Sequence, residues 1–250
     1  MGAIIKKRWT AATAGALLAA GCGSGPVETG VTTAPMGSVP SVSAGPSVSG
    51  SSAAPSPTAS VREIPASIPA SAFLLAADVP GKAKGKPQRL GAGDHELPEF
   101  CGRDYEQRER VGLRATQSLA FTSKDSPPDS TPKAMIYQDV IVFRGDGAEA
   151  FLTDLAAAVR DCPGGEKKNS LTESIGAGDA SLLVERSSPA RDDTGEPVGD
   201  GSRHYFYWAA VRVGDAVAFV SNTGWESGSA DRDDTVHLGR KAAARLDSWR

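Results

Sequence analysis

A long segment of low sequence complexity limits which part of this chain can fold. Residues 23–70 consist mostly of Ser, Pro, Gly, Ala and Thr, with almost no charged or aromatic side chains. Such a segment buries too little apolar surface to offset its ordering entropy, so we predict a disordered tether at residues 22–70. Of the 250 residues, residues 71–250 then remain for one compact domain of ordinary size.

The first 21 residues have the pattern of an export signal. Three basic side chains at residues 6–8 precede a short apolar run, which cannot span a bilayer because a spanning helix needs about 20 apolar residues. The sequence AAGC, ending at Cys22, is similar to the lipobox of a bacterial lipoprotein signal, although Leu18 lies one place further from the cysteine than in the commonest pattern. The resemblance implies cleavage before Cys22 and acylation there, for example with palmitate, which gives stable anchoring. The alternative is an ordinary secretory signal that leaves a free thiol at Cys22.

Charge and composition exclude a nucleic-acid partner. The chain has 27 basic and 30 acidic side chains, a net charge of −3, and removal of residues 1–21 leaves 24 and 30, a net charge of −6. Nucleic-acid binding would call for a basic patch or stripe. We therefore expect lipid to hold the protein on the extracellular face of the cell membrane. Its expected partners are the membrane, an unidentified small molecule or envelope component, and other envelope proteins.

The two other cysteines favour a disulfide. If Cys22 is acylated, Cys101 and Cys162 form an even pair in an oxidising compartment. The alternative makes one of them a nucleophile with a histidine partner. No sequence pattern links either cysteine to a histidine, so we favour the disulfide.

Hydrophobic periodicity predicts an α+β fold, an antiparallel β-sheet with helices packed on it. A short helix is expected to start at Ser71, and a D-x-x-E pair at Asp146 and Glu149 to cap a longer one. Gly214 and Asp215 separate two β-rich runs and predict a type II′ hairpin turn. The predicted strands and longer helices are, in chain order, strands at residues 110–121 and 134–143, a helix at 145–162, a strand at 180–188, the hairpin at 204–224, and a helix at 231–250.

The order of these pieces resembles one family, the actinobacterial lipoproteins similar to the PknH-like extracellular sensor domain. The motifs that carry the resemblance are, in order, LLAADVPG, Cys101, VIVFRGDGAEAFLTDLAAAVRDC, GAGDASLLVER, VRVGDAVAFVSNTG and LGRKAAARLDSW. The resemblance implies an antiparallel sheet with helices and a cleft that receives a ligand outside the cell. Any signal transmission would then require another protein.

The common catalytic and cofactor motifs are absent from the sequence or lie outside a predicted element. The G-x-S-x-G and H-E-x-x-H patterns are absent, and the one S-x-x-K match, at residues 130–133, lies in the Pro-rich loop between two predicted strands. His95, His204 and His237 lie in three separate segments without metal-ligand spacing. The acidic stretches ARDDTGEPVGDG and SADRDD lack the spacing of a calcium loop. We therefore expect a protein without cofactor, metal or catalytic residues.

Aromatic residues supply the candidate ligand site. They are Tyr205, Tyr207, Trp208 and Trp225. Aromatic walls are common in ligand pockets, but on a strand Tyr207 and Trp208 point to opposite faces, so core packing is the alternative. The sequence thus predicts a membrane-anchored lipoprotein with a non-catalytic, sensor-like binding domain. A structural or protein-interaction lipoprotein of the envelope is the first alternative, and a cell-envelope hydrolase the second.

Overall fold

A computed structural model describes most of the predicted domain. The described residues are 63–80, 85, 87–91, 94–122, 127, 130, 132, 134–192, 194–224 and 228–250. The predicted signal, Cys22, most of the predicted tether and Trp225 lie outside them. No helix within the described residues is long and apolar enough to cross a membrane.

A seven-stranded antiparallel sheet forms the centre of the domain, which confirms the predicted α+β class. The strands are β1 (Gln88–Arg89), β2 (Val111–Phe121), β3 (Ala134–Phe143), β4 (Lys168–Thr172), β5 (Ala180–Pro189), β6 (Arg203–Val213) and β7 (Ala216–Asn222). Their spatial order is β1-β2-β3-β7-β6-β5-β4. Two α-helices, α1 (Gly147–Arg160) and α2 (Arg232–Trp249), pack on this sheet.

Both faces of the sheet are covered, because each longer helix takes one face. Val140, Ala209 and Val220 belong to the core under α2. Ile141, Ala210 and Phe219, their sequence neighbours, belong to the core under α1. Successive side chains of a strand point to opposite faces, so continuous apolar runs in the central strands supply both cores.

The strands that the sequence predicts with a strong pattern form as expected. β2 and β3 pair antiparallel along nearly their whole length, and β6 and β7 form a tight hairpin. Gly214 has φ +60° at the turn, whereas Asp215 stays at negative φ, as a type II′ turn requires. Strands β1 and β4 are not predicted. β1 has two residues, and β4 reads KNSLT with little apolar content, so neither carries a periodic signal.

Helix α1 buries the predicted face, but its predicted capping pair is wrong. The Asp146 side chain makes no capping hydrogen bond. Its carboxylate instead accepts from Arg110 Nη1 at 2.6 Å. An arginine from a neighbouring segment therefore outcompetes the backbone N–H groups for this carboxylate. The predicted apolar face is buried as expected, through Ala148, Phe151, Leu152, Leu155, Ala158 and Val159.

Helix α2 approaches the sheet closely. Asp231 caps its start by accepting from the Asp234 N–H at 2.8 Å. A Cβ atom added at Gly239 would lie 2.7 Å from Ile175 Cδ1 and 2.9 Å from Ala209 Cβ, so glycine permits this contact. Four residues at the predicted helical spacing are buried, namely Thr235, Gly239, Ala242 and Leu246.

The N-terminal segment crosses the α2 face of the sheet as two 3₁₀ turns, Ala70–Ala72 and Ala76–Asp78, rather than as the single short helix predicted at Ser71. Gln138 accepts from the Leu74 N–H at 2.7 Å, and Gln117 Nε2 donates to the Leu74 carbonyl at 2.8 Å. These buried amides satisfy an extended backbone at Leu74, which interrupts a continuous helix.

The disulfide predicted between Cys101 and Cys162 is present, with the two Cα atoms 5.6 Å apart. It ties the loop before β2 to the end of α1. Asn169 of β4 donates to the Cys162 carbonyl at 2.8 Å. The loop that carries His95, Phe100 and Tyr105 is thereby fixed over the α1 face of the sheet.

Candidate functional site

The structure separates the aromatic residues that the sequence proposes as one ligand platform. Tyr205 and Tyr207 lie on the α2 face, with ring centroids 6.3 Å apart. Trp208 lies on the α1 face, where its ring meets the edge of Phe100 and the guanidinium of Arg186. Trp208 is therefore part of the core and not of a shared platform with the tyrosines. Trp225 lies outside the described residues.

The hydroxyl of Tyr207 faces a polar neighbour on β5. Burial raises the pKa of Tyr207 to about 12, with further contributions from the charge and hydrogen bond of Glu185. Glu185 lies directly opposite Tyr207 in the strand register. Because Tyr207 is almost completely buried and satisfied by Glu185, this pair offers little surface to a ligand.

The sequence treats the histidines as scattered, but one of them belongs to a buried polar cluster. This Asp139 cluster consists of His95, Arg114, Thr116 and Asp139. Asp139 is 0% exposed in the middle of β3, and Thr116 is its direct partner in the strand register. A charged residue within the apolar strand AMIYQDVIVF is the sequence signal that points to such partners, since a buried charge requires pairing.

The hydrogen bonds between side chains of the Asp139 cluster all converge on one carboxylate. Oδ1 of Asp139 accepts from Arg114 Nη2 at 2.7 Å, from Arg114 Nε at 2.9 Å and from Thr116 Oγ1 at 2.6 Å. Oδ2 lies 2.9 Å from His95 Nδ1. Arg114 Nη2 also donates to the His95 carbonyl at 3.1 Å. The carboxylate is saturated and holds the loop at His95 against the sheet.

The imidazole of His95 has a fixed orientation. Its ring stacks on Tyr137 with centroids 4.3 Å apart and an angle of 12°. Nδ1 is engaged by Asp139, and the side chain is only 13% exposed. An oriented His–Asp pair resembles part of a catalytic triad, but such chemistry also needs a nucleophile in hydrogen-bond contact with the imidazole. Among the described residues, no hydroxyl or thiol hydrogen-bonds to this ring. The geometry therefore indicates that the His95–Asp139 pair holds the loop against the sheet.

In contrast to the buried Asp139 cluster, a groove beside α2 is open to solvent. Its volume is about 470 Å³, within the range of small-molecule sites. We call it the α2 groove. Its lining consists of residues 176–179 from the loop between β4 and β5, Val213 from β6, and Arg240, Ala243, Ala244 and Asp247 from α2.

One end of the α2 groove is basic. Arg240 Nε donates to the carbonyl of Ile175 at 2.9 Å, which pins the guanidinium against the loop. At Gly176, which has φ +67°, a Cβ atom would meet no neighbour nearer than Arg240 Nη2 at 4.0 Å. The space above Gly176 is therefore open and bordered by the guanidinium.

The other end of the α2 groove carries two carboxylates, those of Asp179 and Asp247. Asp179 Oδ2 accepts from the Gly214 N–H at 2.7 Å and lies 3.9 Å from Arg212 Nη1, and both contacts hold the loop at the turn between β6 and β7. The same turn receives the end of α2, because Arg250 Nε donates to Asp215 Oδ1 at 3.0 Å. Asp247 lies in this last turn of α2. The two carboxylates of Asp179 and Asp247 thus border the groove near the hairpin turn.

The acidic stretches considered as calcium loops serve as turns and a helix cap. Asp192 accepts from Thr194, and Asp200 from the Ser202 N–H. The side-chain hydrogen bond from Thr194, followed by a backbone bond from Glu196, lowers the pKa of Asp192 below its usual value. Asp231 caps α2. Across the described part of the chain, three or more His, Cys, Asp or Glu side chains nowhere converge as a metal site.

The fold is similar to that of a solved structure, although the sequence matches no known family. No protein-family model matches this chain. No curated protein matches it. The structure is similar to the crystal structure of the extracellular domain of PknH from Mycobacterium tuberculosis, with 14% sequence identity and a TM-score of 0.48. The similarity covers 71% of this chain and 94% of that chain. The lipoprotein character of the chain stays a prediction.

Proposed function

We propose that this chain is a lipid-anchored extracytoplasmic protein whose α+β domain binds a ligand in the α2 groove without catalysing a reaction. The observation that carries the proposal is the groove itself. It is an open cavity of about 470 Å³ with Arg240, Asp179 and Asp247 on its border. Ligand sites combine such a cavity with a small number of placed polar groups.

The surroundings of the α2 groove keep its shape fixed. Gly239 brings α2 close to Ile175 and Ala209, and Asp215 holds the end of the helix through Arg250. A preformed site loses less conformational entropy when a ligand binds.

The chemistry of the lining supports binding rather than catalysis. Its described residues are glycine, alanine, valine, aspartate and arginine, with no hydroxyl, thiol or imidazole. An acyl-transfer or hydrolytic site of the common kinds needs a nucleophile and an adjacent base. The imidazole of His95 lies instead in the loop over the α1 face, where it is bound to Asp139.

The cysteines support the proposed location of the protein outside the cytoplasm. A disulfide between Cys101 and Cys162 persists in oxidising compartments and is rare in the cytosol. The lipobox-like sequence that ends at Cys22 supports anchoring by acyl chains. Incorporation of radiolabelled fatty acid into the full chain tests the anchor, and label that persists in a Cys22→Ala variant excludes it.

A thermal-shift screen of the purified full chain tests ligand binding. The screen uses cell-wall fragments, short peptides, lipids, sugars and divalent metals. A ligand at 100 times its dissociation constant stabilises the fold by about 2.7 kcal/mol, which is readily seen as a shift in Tm. If no class of compound shifts the Tm of a well-folded sample, the binding function is wrong and protein–protein contacts become the leading explanation.

A further inference from the structure

The α2 groove is bipolar, and this property constrains the ligand. The only guanidinium in its described lining, that of Arg240, lies at the end near Ile175, and the carboxylates of Asp179 and Asp247 lie at the end near the hairpin turn. A ligand that pairs with both ends must carry a negative group at one end and a positive group at the other. Uniformly anionic or cationic molecules leave one end unpaired.

Helix geometry gives the spacing of the two α2 residues that mark the ends of the groove. Arg240 and Asp247 are seven residues apart on α2, and at 1.5 Å of rise per residue their Cα atoms are separated by about 10.5 Å along the axis. An extended chain spans about 3.3–3.6 Å per residue, so three residues cover the same distance. A single amino acid is too short to reach both ends.

The middle of the α2 groove accepts small apolar groups. Its surface there is formed by Ala177, Val213, Ala243 and Ala244. Val213 and Ala243 are almost completely buried beneath it. This combination of small apolar wall and separated opposite charges matches the backbone and methyl side chains of a short alanine-rich peptide.

We propose that the α2 groove binds a short peptide of about three residues with free termini, its carboxylate at Arg240 and its ammonium group at Asp247 and Asp179. Arg240 suits the carboxylate because its guanidinium presents a planar fork of donors. Nε is already held by the Ile175 carbonyl, which leaves the Nη groups toward the groove at Gly176. Asp179 is held in place because its Oδ2 accepts from the Gly214 N–H and lies 3.9 Å from Arg212 Nη1, so Asp247 supplies the unpaired negative charge at the ammonium end. This inference rests on the proposed ligand-binding function.

Isothermal titration of the full chain with capped and uncapped peptides tests the proposal. The probe is trialanine with free termini, compared with its N-acetyl form and its C-terminal amide. We expect each cap to weaken binding about tenfold or more, because each removes one charge pair. Dialanine and pentaalanine are expected to bind more weakly than trialanine, since they do not match the spacing of the two ends.

Two variants that each remove one charge test which end of the α2 groove binds which terminus of the peptide. Arg240→Gln is expected to weaken binding of trialanine about tenfold but to leave binding of the C-terminal amide nearly unchanged. Asp247→Asn is expected to show the same pattern with N-acetyl-trialanine. The matched controls on the same helix, Arg232→Gln and Asp233→Asn, lie outside the groove and should bind trialanine like the natural sequence.

Each contrary result has a defined meaning. If the C-terminal amide weakens binding as much in Arg240→Gln as in the natural sequence, the assignment of the carboxylate end is wrong. The same holds for the ammonium end if N-acetylation weakens binding as much in Asp247→Asn. The assignment of both ends is wrong if the caps have no effect on binding to the natural sequence. If trialanine does not bind but another compound in the thermal-shift screen does, and Arg240→Gln abolishes that shift, the ligand class is wrong and the binding function of the groove stands. If nothing binds, the proposed function itself fails. Equal urea midpoints for the variants and the natural sequence exclude misfolding as the cause of lost binding.

Discussion

The Asp139 cluster and the α2 groove both bring charged side chains together, but they use them differently. The carboxylate of Asp139 is 0% exposed and accepts hydrogen bonds from three side chains. Asp247 in the α2 groove is exposed and has no described hydrogen-bond partner. A buried carboxylate must be saturated, because an unpaired buried charge is costly. An exposed carboxylate on the wall of a cavity keeps its capacity for a ligand. The comparison indicates that the first site maintains the fold, whereas the second site leaves charged groups accessible to the ligand that we propose.

The largest predicted effect concerns the disulfide that holds the loop of the Asp139 cluster in place. Replacing both Cys101 and Cys162 by alanine releases a closed loop with a sequence separation of 61 residues. The chain-entropy model predicts a loss of about 4 kcal/mol in the free energy of unfolding. Urea unfolding with and without reductant measures it. The reductant should destabilise the natural sequence and leave the double variant unchanged.

Alkylation provides an independent check on the same bond. Under non-reducing, denaturing conditions neither Cys101 nor Cys162 should react with iodoacetamide. Modification of both cysteines without reductant, detected by mass spectrometry, would show that the loop is not tied to α1 in this way.

The second prediction removes the central charge of the Asp139 cluster. Asp139→Asn keeps the size of the side chain but leaves the Arg114 guanidinium without its counter-charge, and we expect a loss of about 3 kcal/mol. The matched control is Asp161→Asn, because Asp161 forms an exposed ion pair with Arg103, and such pairs contribute about 0–1 kcal/mol. Equal effects of the two substitutions would contradict the distinction between saturated buried charges and exposed ones.

The sequence predicts elements better than it predicts either site. The apolar alternation of β2, the β-rich runs of β3, β6 and β7, and the apolar faces of α1 and α2 are local patterns, and all of these elements form. The Asp139 cluster joins side chains from a loop and two strands, and only the strand register places Thr116 opposite Asp139. Local periodicity does not contain this information. The Asp in the middle of β3 shows that a partner is needed but not which residue provides it.

The α2 groove could not be predicted from the sequence for a related reason. Its walls come from a loop, β6 and α2, which are separated in the chain. The short sequence GAGD supplies the loop, but glycines there are equally typical of an ordinary turn. The open space at Gly176 becomes visible only when Arg240 is placed beside it. The aromatic residues, which are conspicuous in the sequence, are instead divided between two cores.

The third prediction concerns an ion pair of intermediate exposure, between Asp78 and Arg245. Asp78 is 12% exposed, lies 2.7 Å from Arg245 Nη2, and also accepts from the Leu75 N–H at 2.8 Å. Burial alone raises the pKa of Asp78, but the hydrogen bonds from Arg245 and Leu75 and the charges of Arg245 and Lys241 together lower it below its usual value. The ion pair joins the N-terminal segment to α2.

A lowered pKa in the folded state fixes the sign of the pH dependence. The stabilisation from Asp78 is fully present above its unfolded pKa of about 3.9 and is lost as the pH falls through the lower, folded value. We expect Asp78→Asn to cost about 1.5–2 kcal/mol at pH 7, at the lower end of the range for hydrogen bonds to charged groups. The difference from the natural sequence should shrink below pH 4 in urea unfolding. If the difference in unfolding free energy between Asp78→Asn and the natural sequence stays constant from pH 7 to pH 3, the negative charge of Asp78 does not contribute to stability.

The smallest predicted effect is the one that most sharply separates the α2 groove from the Asp139 cluster. Asp247→Asn should change the free energy of unfolding by no more than about 0.5 kcal/mol, as for other exposed surface positions. Since the side chain is exposed and hydrogen-bonds to no described residue, its removal breaks no contact that the fold depends on. Urea unfolding of Asp247→Asn beside the matched control Asp233→Asn measures the difference. A loss of unfolding free energy as large as that of Asp139→Asn would mean that Asp247 maintains the fold. This result would contradict the view that its carboxylate is available to a ligand.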